Sequence, residues 1–330
     1  MTGSTKPTGG SAGPKKKPPA IAVRRFAGTE EHARFLSHVR VAHQTDLHFG
    51  RVTPLEVQRQ AVALTNEAKP DVVVITGDFV CHSQLFLDQM VETLSKLDAP
   101  VYGVLGNHDY WSGADEVARA LARAGVEVLK NCHTTIEVRH QRLQIVGLDD
   151  SYTGHADRER ATKGIREDLP QLGLSHIAEE ADYLWSKGVP LVLAGHTHAG
   201  QVTVAKLHEI ALGKLVGHKY VHGLYGKRRD RQAHHPDGAV YVGAGIGAAV
   251  MPLRIGERGR RELAIFELGH DVGVFDEHHT EQPSLMGRKP SPDLVAKRNE
   301  DVHKRAWKRE LAAAKRRRGA GRPSRPPEPG

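Results

Sequence analysis

In four places along this 330-residue chain, side chains able to hold a metal ion follow directly on a short apolar run. Asp46-Leu47-His48 follows residues 39–42, Gly77-Asp78 follows 71–75, Gly106-Asn107-His108-Asp109 follows 101–105, and Gly195-His196-Thr197-His198 follows 191–194. Asp46 and Asp78 stand 32 residues apart and Asp78 and Asn107 stand 29 apart, close to the length of one strand–helix–strand unit. In an open α/β sheet the carboxyl ends of the strands border one crevice, so loops distant in sequence meet there. A chain patterned this way is constrained to a layered α/β fold with its polar chemistry at one end of the strands.

The intervening sequence agrees. The runs at 39–42, 71–75 and 101–105 alternate with helical patterns, as expected of strands buried on both faces. Thr53-Pro54-Leu55-Glu56 reads as a capping box, with Thr53 at the N-cap, Pro54 at the first helical position and Glu56 at the third. Val57, Ala61, Leu64 and Ala68 then share one face, and Lys69-Pro70 ends the helix. Further helices are expected near 85–97 and over 113–124. Beyond them strand patterns fall at 134–138, 143–148, 191–194, 202–204, 239–242 and 263–266, with irregular stretches at 149–173 and 206–237.

A net charge of +8 suggests an acidic partner until the charge is mapped. Residues 1–25 carry six basic side chains and no acid, and 287–330 carry fourteen Lys and Arg against five Asp and Glu. That leaves 26–286 with 27 basic and 34 acidic residues, a net of −7, which fits a body that holds cations by carboxylates. Residues 1–20 offer too little apolar surface to offset chain entropy and are expected to be disordered. The expected organisation is this basic segment, one domain over 21–270, and a basic tail over 271–330 that is partly helical, around 291–318, or disordered. No run approaches the roughly 18 apolar residues of a membrane span. The N-terminal basic cluster has no apolar stretch behind it and does not read as a secretory signal, and two cysteines, Cys81 and Cys132, are too few for a disulfide framework. A cytoplasmic placement is expected, with the basic ends as candidate contacts for an anionic membrane.

Imidazole combined with carboxylate suits borderline divalent ions such as Mn, Fe or Zn. One carboxylate can bridge two of them, and glycine beside each donor group, at Gly77, Gly106 and Gly195, permits tight turns close to the metals. The four ordered segments, with the solitary His176, resemble the calcineurin-like metallophosphoesterases over roughly residues 38–268. The local sequences at 104–111 and 193–202 are similar to the bacterial branch of membrane-associated phosphodiesterases and UDP-2,3-diacylglucosamine pyrophosphohydrolases. The resemblance implies a layered β-sandwich flanked by helices and two divalent metal ions. One would be held by Asp46, His48, Asp78 and His198, the other by Asp78, Asn107, His176 and His196, with Asp78 bridging. A hydroxide between two such cations would attack phosphorus in line with the leaving oxygen. His108 is the implied catalytic residue, stabilising or protonating the leaving group. The family commonly has a second aspartate three residues after the bridging one, to orient that imidazole. Here the position is Cys81, a poor substitute, and Asp109 or the pair Asp149-Asp150 are the candidate replacements.

The expected function is therefore cleavage of a phosphodiester or pyrophosphate bond in a phosphate-ester or nucleotide-sugar substrate, UDP-2,3-diacylglucosamine among the candidates. The alternative is a nuclease or nucleic-acid-binding protein using the basic tails. They carry charge but no recognition motif, so no specific nucleic-acid partner is expected, and 5% aromatic residues exclude an extensive base-stacking platform. Lys227-Arg228-Arg229-Asp230-Arg231 reads as a cationic lip for an anionic substrate or, more simply, as a solvated loop. Tyr110 and Trp111 either border the site or pack beneath its loop.

Overall fold

The computed structural model describes residues 21–200, 218–229, 238–248 and 259–285, with single positions at 254, 297 and 300. In chain order its strands are β1 (Ile21–Ala27), β2 (Val39–Gln44), β3 (Val72–Thr76), β4 (Val101–Val104), β5 (Val126–Val128), β6 (Cys132–Val138), β7 (Gln141–Leu148), β8 (Gln171–Ser175), β9 (Leu191–Ala194), β10 (Gly223–Gly226), β11 (Ala239–Val242) and β12 (Arg261–Leu268). The helices are α1 (Glu30–Phe35), α2 (Leu55–Glu67), α3 (Leu87–Leu94), α4 (Asn107–Ser112), α5 (Ala114–Arg123), α6 (Arg158–Thr162) and α7 (Ala181–Ser186).

The strands form two six-stranded sheets, ordered β1-β12-β2-β3-β4-β5 and β10-β11-β9-β8-β7-β6. Within the first, β2 to β5 run parallel; within the second, β7, β8, β9 and β11 do. Successive side chains of a strand face opposite ways, and the apolar runs use both faces. Val72 and Val74 join Leu143, Leu172, Leu191 and Tyr241 in the core between the sheets. Val73 and Ile75 join Val57, Ala61, Met90 and Leu121 in a second core under α2, α3 and α5. On the far side Val192 and Val240 pack with Leu184 and Trp185 of α7. The result is a β-sandwich flanked by helices, and no described helix is long and apolar enough to cross a membrane.

Some local expectations need correction. Thr53 does not cap α2: its hydroxyl accepts the Ala248 N–H at 2.9 Å, a tertiary bond that displaces the local one, and Pro54 occupies the cap position. The stretch 149–173 is not irregular to its end, because β8 begins at Gln171 and pairs between β7 and β9. Arg228 belongs neither to a lip nor to a solvated loop. It is buried, donating to both oxygens of Glu277 and to Glu281. Residues 271–285, on the tail side of the expected boundary at 270, lie against the body: Ala27 N–H donates to Glu277, Gln282 N–H to Leu224 O, and Leu285 N–H to Lys219 O. The expected disorder of 1–20, the strand at 202–204, the helix at 291–318 and the rest of both tails lie outside the described residues.

Candidate metal centre

The parallel strands of both sheets deliver their carboxyl ends to one place. Asp46 and His48 follow β2, Asp78 follows β3, Asn107 and His108 follow β4, His176 follows β8, and His196 and His198 follow β9. All eight residues expected from the sequence meet there. His176 stands directly after a strand like the rest, a placement the missed β8 had concealed.

Asp78 lies in the middle. Its Oδ2 is 3.5 Å from Nε2 of His48 and its Oδ1 is 3.4 Å from Nε2 of His176. On the His48 side, Nε2 of His198 lies 2.9 Å from Nε2 of His48 and 3.3 Å from Oδ1 of Asp46. One donor atom each from Asp46, His48, Asp78 and His198 fall within 4.8 Å of one another. On the other side, Oδ1 of Asn107 is 3.0 Å from Nδ1 of His196 and 3.2 Å from Nε2 of His176. His108 completes the group, its backbone N–H donating to Oδ1 of Asp78 at 2.9 Å and its Nε2 lying 3.9 Å from Oδ2.

A surrounding set of bonds fixes these side chains. The His176 Nδ1–H donates to Thr76 O at 2.8 Å, which turns Nε2 toward Asp78. Thr45 hydroxyl and His196 N–H both donate to Oδ2 of Asp46, while Oδ1 is buried and makes no hydrogen bond. A buried carboxylate oxygen without a donor, aimed at imidazole nitrogens, fits a cation site. Gln58 of α2 donates to Leu47 O and His48 O and steadies that loop. Close approach explains two glycines: a Cβ at Gly106 would collide with Asp78, and one at Gly195 with Thr45 and Asp46.

Protonation in the bare polypeptide follows from burial. Burial holds His48 down to about 3, and His196 and His198 well below the usual imidazole range, so they are neutral and ready to ligate. Burial and the neighbouring Asp78 raise Asp46 to about 7. For Asp78 burial favours the neutral form, but His176 and His108 outweigh it and the carboxyl falls well below its usual range. His176 goes the other way: burial is overcome by Asp78, Asp46 and Asp150, and it rises to about 10.

Each of the three proposed stand-ins for the missing aspartate is engaged by other groups. Asp109 accepts from Val80 N–H and Gly106 N–H, Asp149 from the Tyr110 hydroxyl and Asp150 N–H, and Asp150 from Thr153. Cys81 itself is beside the ring, within 4.8 Å of donor nitrogens of His48 and His108, and burial pushes its thiol up to about 11, so it is neutral. Tyr110 and Trp111 part company: Tyr110 stacks on His155 and bonds Asp149, while Trp111 packs 4.8 Å from the His108 ring. Sequence reasoning missed three further rings at the site. His82 lies 4.3 Å from His108, Tyr152 5.0 Å from His196, and His218 5.4 Å from His196. Tyr152 follows β7, so the strand-end rule could have found it. Arg254, with Nη2 3.4 Å from Nδ1 of His198, carried no such signal.

A helix-flanked double sheet with two facing groups of carboxylate, amide and imidazole donors at its strand ends has the build of a metal-binding enzyme. Residues 39–200 match the family model of the calcineurin-like phosphoesterases. Phosphodiesterase YaeI of Escherichia coli (strain K12) is 30% identical over 231 residues, which are 68% of this chain and 79% of that protein. The uncharacterized metallophosphoesterase YkuE of Bacillus subtilis (strain 168) is 28% identical over 236 residues, 69% of this chain and 78% of that one. The NAD nucleotidase NadN of Haemophilus influenzae superposes with a TM-score of 0.48 and 13% identity, over 81% of this chain and 60% of that chain. This chain belongs to the calcineurin-like phosphoesterase family and is a hydrolase acting on phosphoric esters.

Proposed function

We propose that the protein cleaves a phosphodiester or pyrophosphate bond with two divalent cations, Mn, Fe or Zn. Asp46, His48, Asp78 and His198 would hold one cation, and Asp78, Asn107, His176 and His196 the other. The observation that carries this reading is the division of the Asp78 carboxylate, one oxygen turned to His48 and the other to His176. When bound, such a pair supplies an acidified water and a clamp for the phosphoryl oxygens. The chain's own part is to hold the donors, neutralise charge and deliver a proton. His108, tied through its backbone to Asp78 and braced by Trp111, is assigned the leaving oxygen, where it donates a proton or a hydrogen bond. With Cys81 in place of a carboxylate, that acid is weaker than in a relative with aspartate there.

The likeness to YaeI, a phosphodiesterase, favours a bis-ester over a monoester. UDP-2,3-diacylglucosamine is the more specific candidate, resting on the motif likeness alone, and nucleic acid is the alternative if the basic ends engage it. Peripheral contact with anionic membrane through those ends is part of the same proposal. The test is metal-reconstituted protein assayed against a phosphomonoester, a bis-ester, UDP-2,3-diacylglucosamine and single-stranded DNA, beside Asp78→Asn and His108→Ala. Asp78→Asn is expected to abolish turnover and His108→Ala to lower it about 10²-fold or more. Turnover untouched by Asp78→Asn would defeat the proposal.

A further inference from the structure

A second group of donors lies outside the strand-end site. His222 precedes β10, Glu262 is on β12, and His279 comes from the segment after β12. The three are 1%, 4% and 3% exposed. Nε2 of His222 is 3.4 Å from both carboxylate oxygens of Glu262, and Nε2 of His279 is 3.6 Å from Oε2. The two rings meet edge to face, 4.5 Å between centroids. One donor atom from each residue lies within 4.8 Å of the others.

Hydrogen bonding accounts poorly for this arrangement. Contacts of 3.4 and 3.6 Å are long for charge-assisted bonds, and Nε2 of His279 and Nδ1 of His222 are buried without any hydrogen bond. Coordination accounts for it better. Ligands at 2.0–2.2 Å in a tetrahedron are separated by about 3.4 Å, close to the 3.4 and 3.6 Å between each imidazole and the carboxylate here. The Tyr241 hydroxyl donates to Oε1 of Glu262, with Ala244 N–H at 3.4 Å from the same oxygen and Nε of Arg24 at 3.6 Å from Oε2, so the carboxylate is oriented from behind. Burial alone would raise Glu262, but the two imidazoles hold it well below the carboxylate range, and burial lowers His279 to about 4. At neutral pH the carboxylate is therefore charged and the His279 ring neutral, as a cation requires.

We propose that His222, Glu262 and His279 bind a zinc ion in an enclosed structural site, separate from the two catalytic cations. Two imidazoles and a carboxylate select zinc over Ca or Mg. The ion would tie the entrance of β10 and the segment 271–285 to β12. The test is metal content of the full-length chain by atomic emission, wild type beside His279→Gln, with phosphodiesterase activity followed in both. The content is expected to fall by about one zinc per chain while turnover persists. Equal content in the two proteins overturns the site. Should His279→Gln fail to fold, cobalt(II) loading of the triple variant His48→Gln, Asp78→Asn, His176→Gln, which breaks both halves of the strand-end centre, decides: about one tightly held cobalt with the absorption of nitrogen and oxygen ligands is expected, and its absence overturns the proposal. Since those three substitutions lie only at the strand-end site, the two proposals fail separately.

Discussion

Replacing Arg228 by alanine sets the two sequence readings of the basic run against the structure. The Arg228 side chain is 2% exposed; Nη1 and Nη2 donate to Glu277 at 2.8 and 2.5 Å, Nε to Glu281 at 2.8 Å, and Nη1 to Ala27 O at 3.2 Å. The Glu277 side chain is itself only 8% exposed, so the substitution strands a carboxylate whose one remaining bond among the described residues comes from Ala27 N–H. Removing one partner of a buried ion pair costs about 3–5 kcal/mol. Glu281, 32% exposed, turns to water and adds little. At about 3 °C per kcal/mol for a domain of this size, Tm falls by about 10 °C. Thermal unfolding followed by circular dichroism measures this, with KM for a bis-ester taken well below both transitions and expected to be unchanged. A Tm within about 2 °C of wild type, with KM raised severalfold, would refute the reasoning and restore the cationic lip. Arg228→Ala combined with Glu277→Gln should recover part of the loss, because the stranded charge is gone.

Gly106→Ala forces a methyl group onto the Asp78 carboxylate; metal content and activity are both expected to drop, and a fully loaded variant would contradict the packing described. Cys81→Asp places a carboxylate beside the His48 and His108 rings and should preserve or raise turnover, so lowered turnover in steady-state kinetics counts against a weakened His108. Cations at the strand ends must displace the protons of Asp46, which titrates at about 7, and of His176, at about 10. Affinity therefore rises with pH, with proton release that diminishes as pH passes about 7; calorimetry in buffers of different ionisation enthalpy would show no buffer dependence if this were wrong. Ending the chain after residue 285 should leave thermal stability and hydrolysis intact, whereas ending it after 270 removes Glu277, His279 and Glu281 and should destabilise the body as Arg228→Ala does.

What was legible in the sequence is what depends on residue type and short-range order. The runs at 71–75 and 191–194 announce strands because no other element buries both faces of so short a segment, and the donors after them announce a shared crevice. β8 escaped because Gln171-Leu172-Gly173-Leu174-Ser175 is polar at both ends and broken by a glycine, which packs closely against Val192, Val189 and Leu184. Thr53 and Arg228 failed for another reason. Each carries a clear local signal, a cap and a charge run, and each is claimed by a partner about 50 to 200 residues away. Propensity sees only the neighbours in the chain.

The backbone of the site was equally hidden, and it bears on every test above. Five of the seven proposed ligands, Asp46, His48, Asp78, His196 and His198, have φ between 45° and 75°, in the left-handed region. That region costs most side chains about 1–2 kcal/mol, yet Asp, Asn and His enter it several times more often than other residues. Ligand chemistry and backbone demand thus select the same residue types, which is why sharp turns at three strand ends are compatible with donors there. Substitutions should follow the same rule. In chelated protein both Asp78→Asn and Asp78→Val lose the carboxylate facing His176, but asparagine keeps a left-handed-tolerant residue, so Asp78→Val, which forces a β-branched side chain into φ 54°, should unfold several degrees below Asp78→Asn. Equal unfolding of the two variants, at the same lowered Tm, would mean that the turn imposes no such selection and that donor chemistry alone chose Asp78.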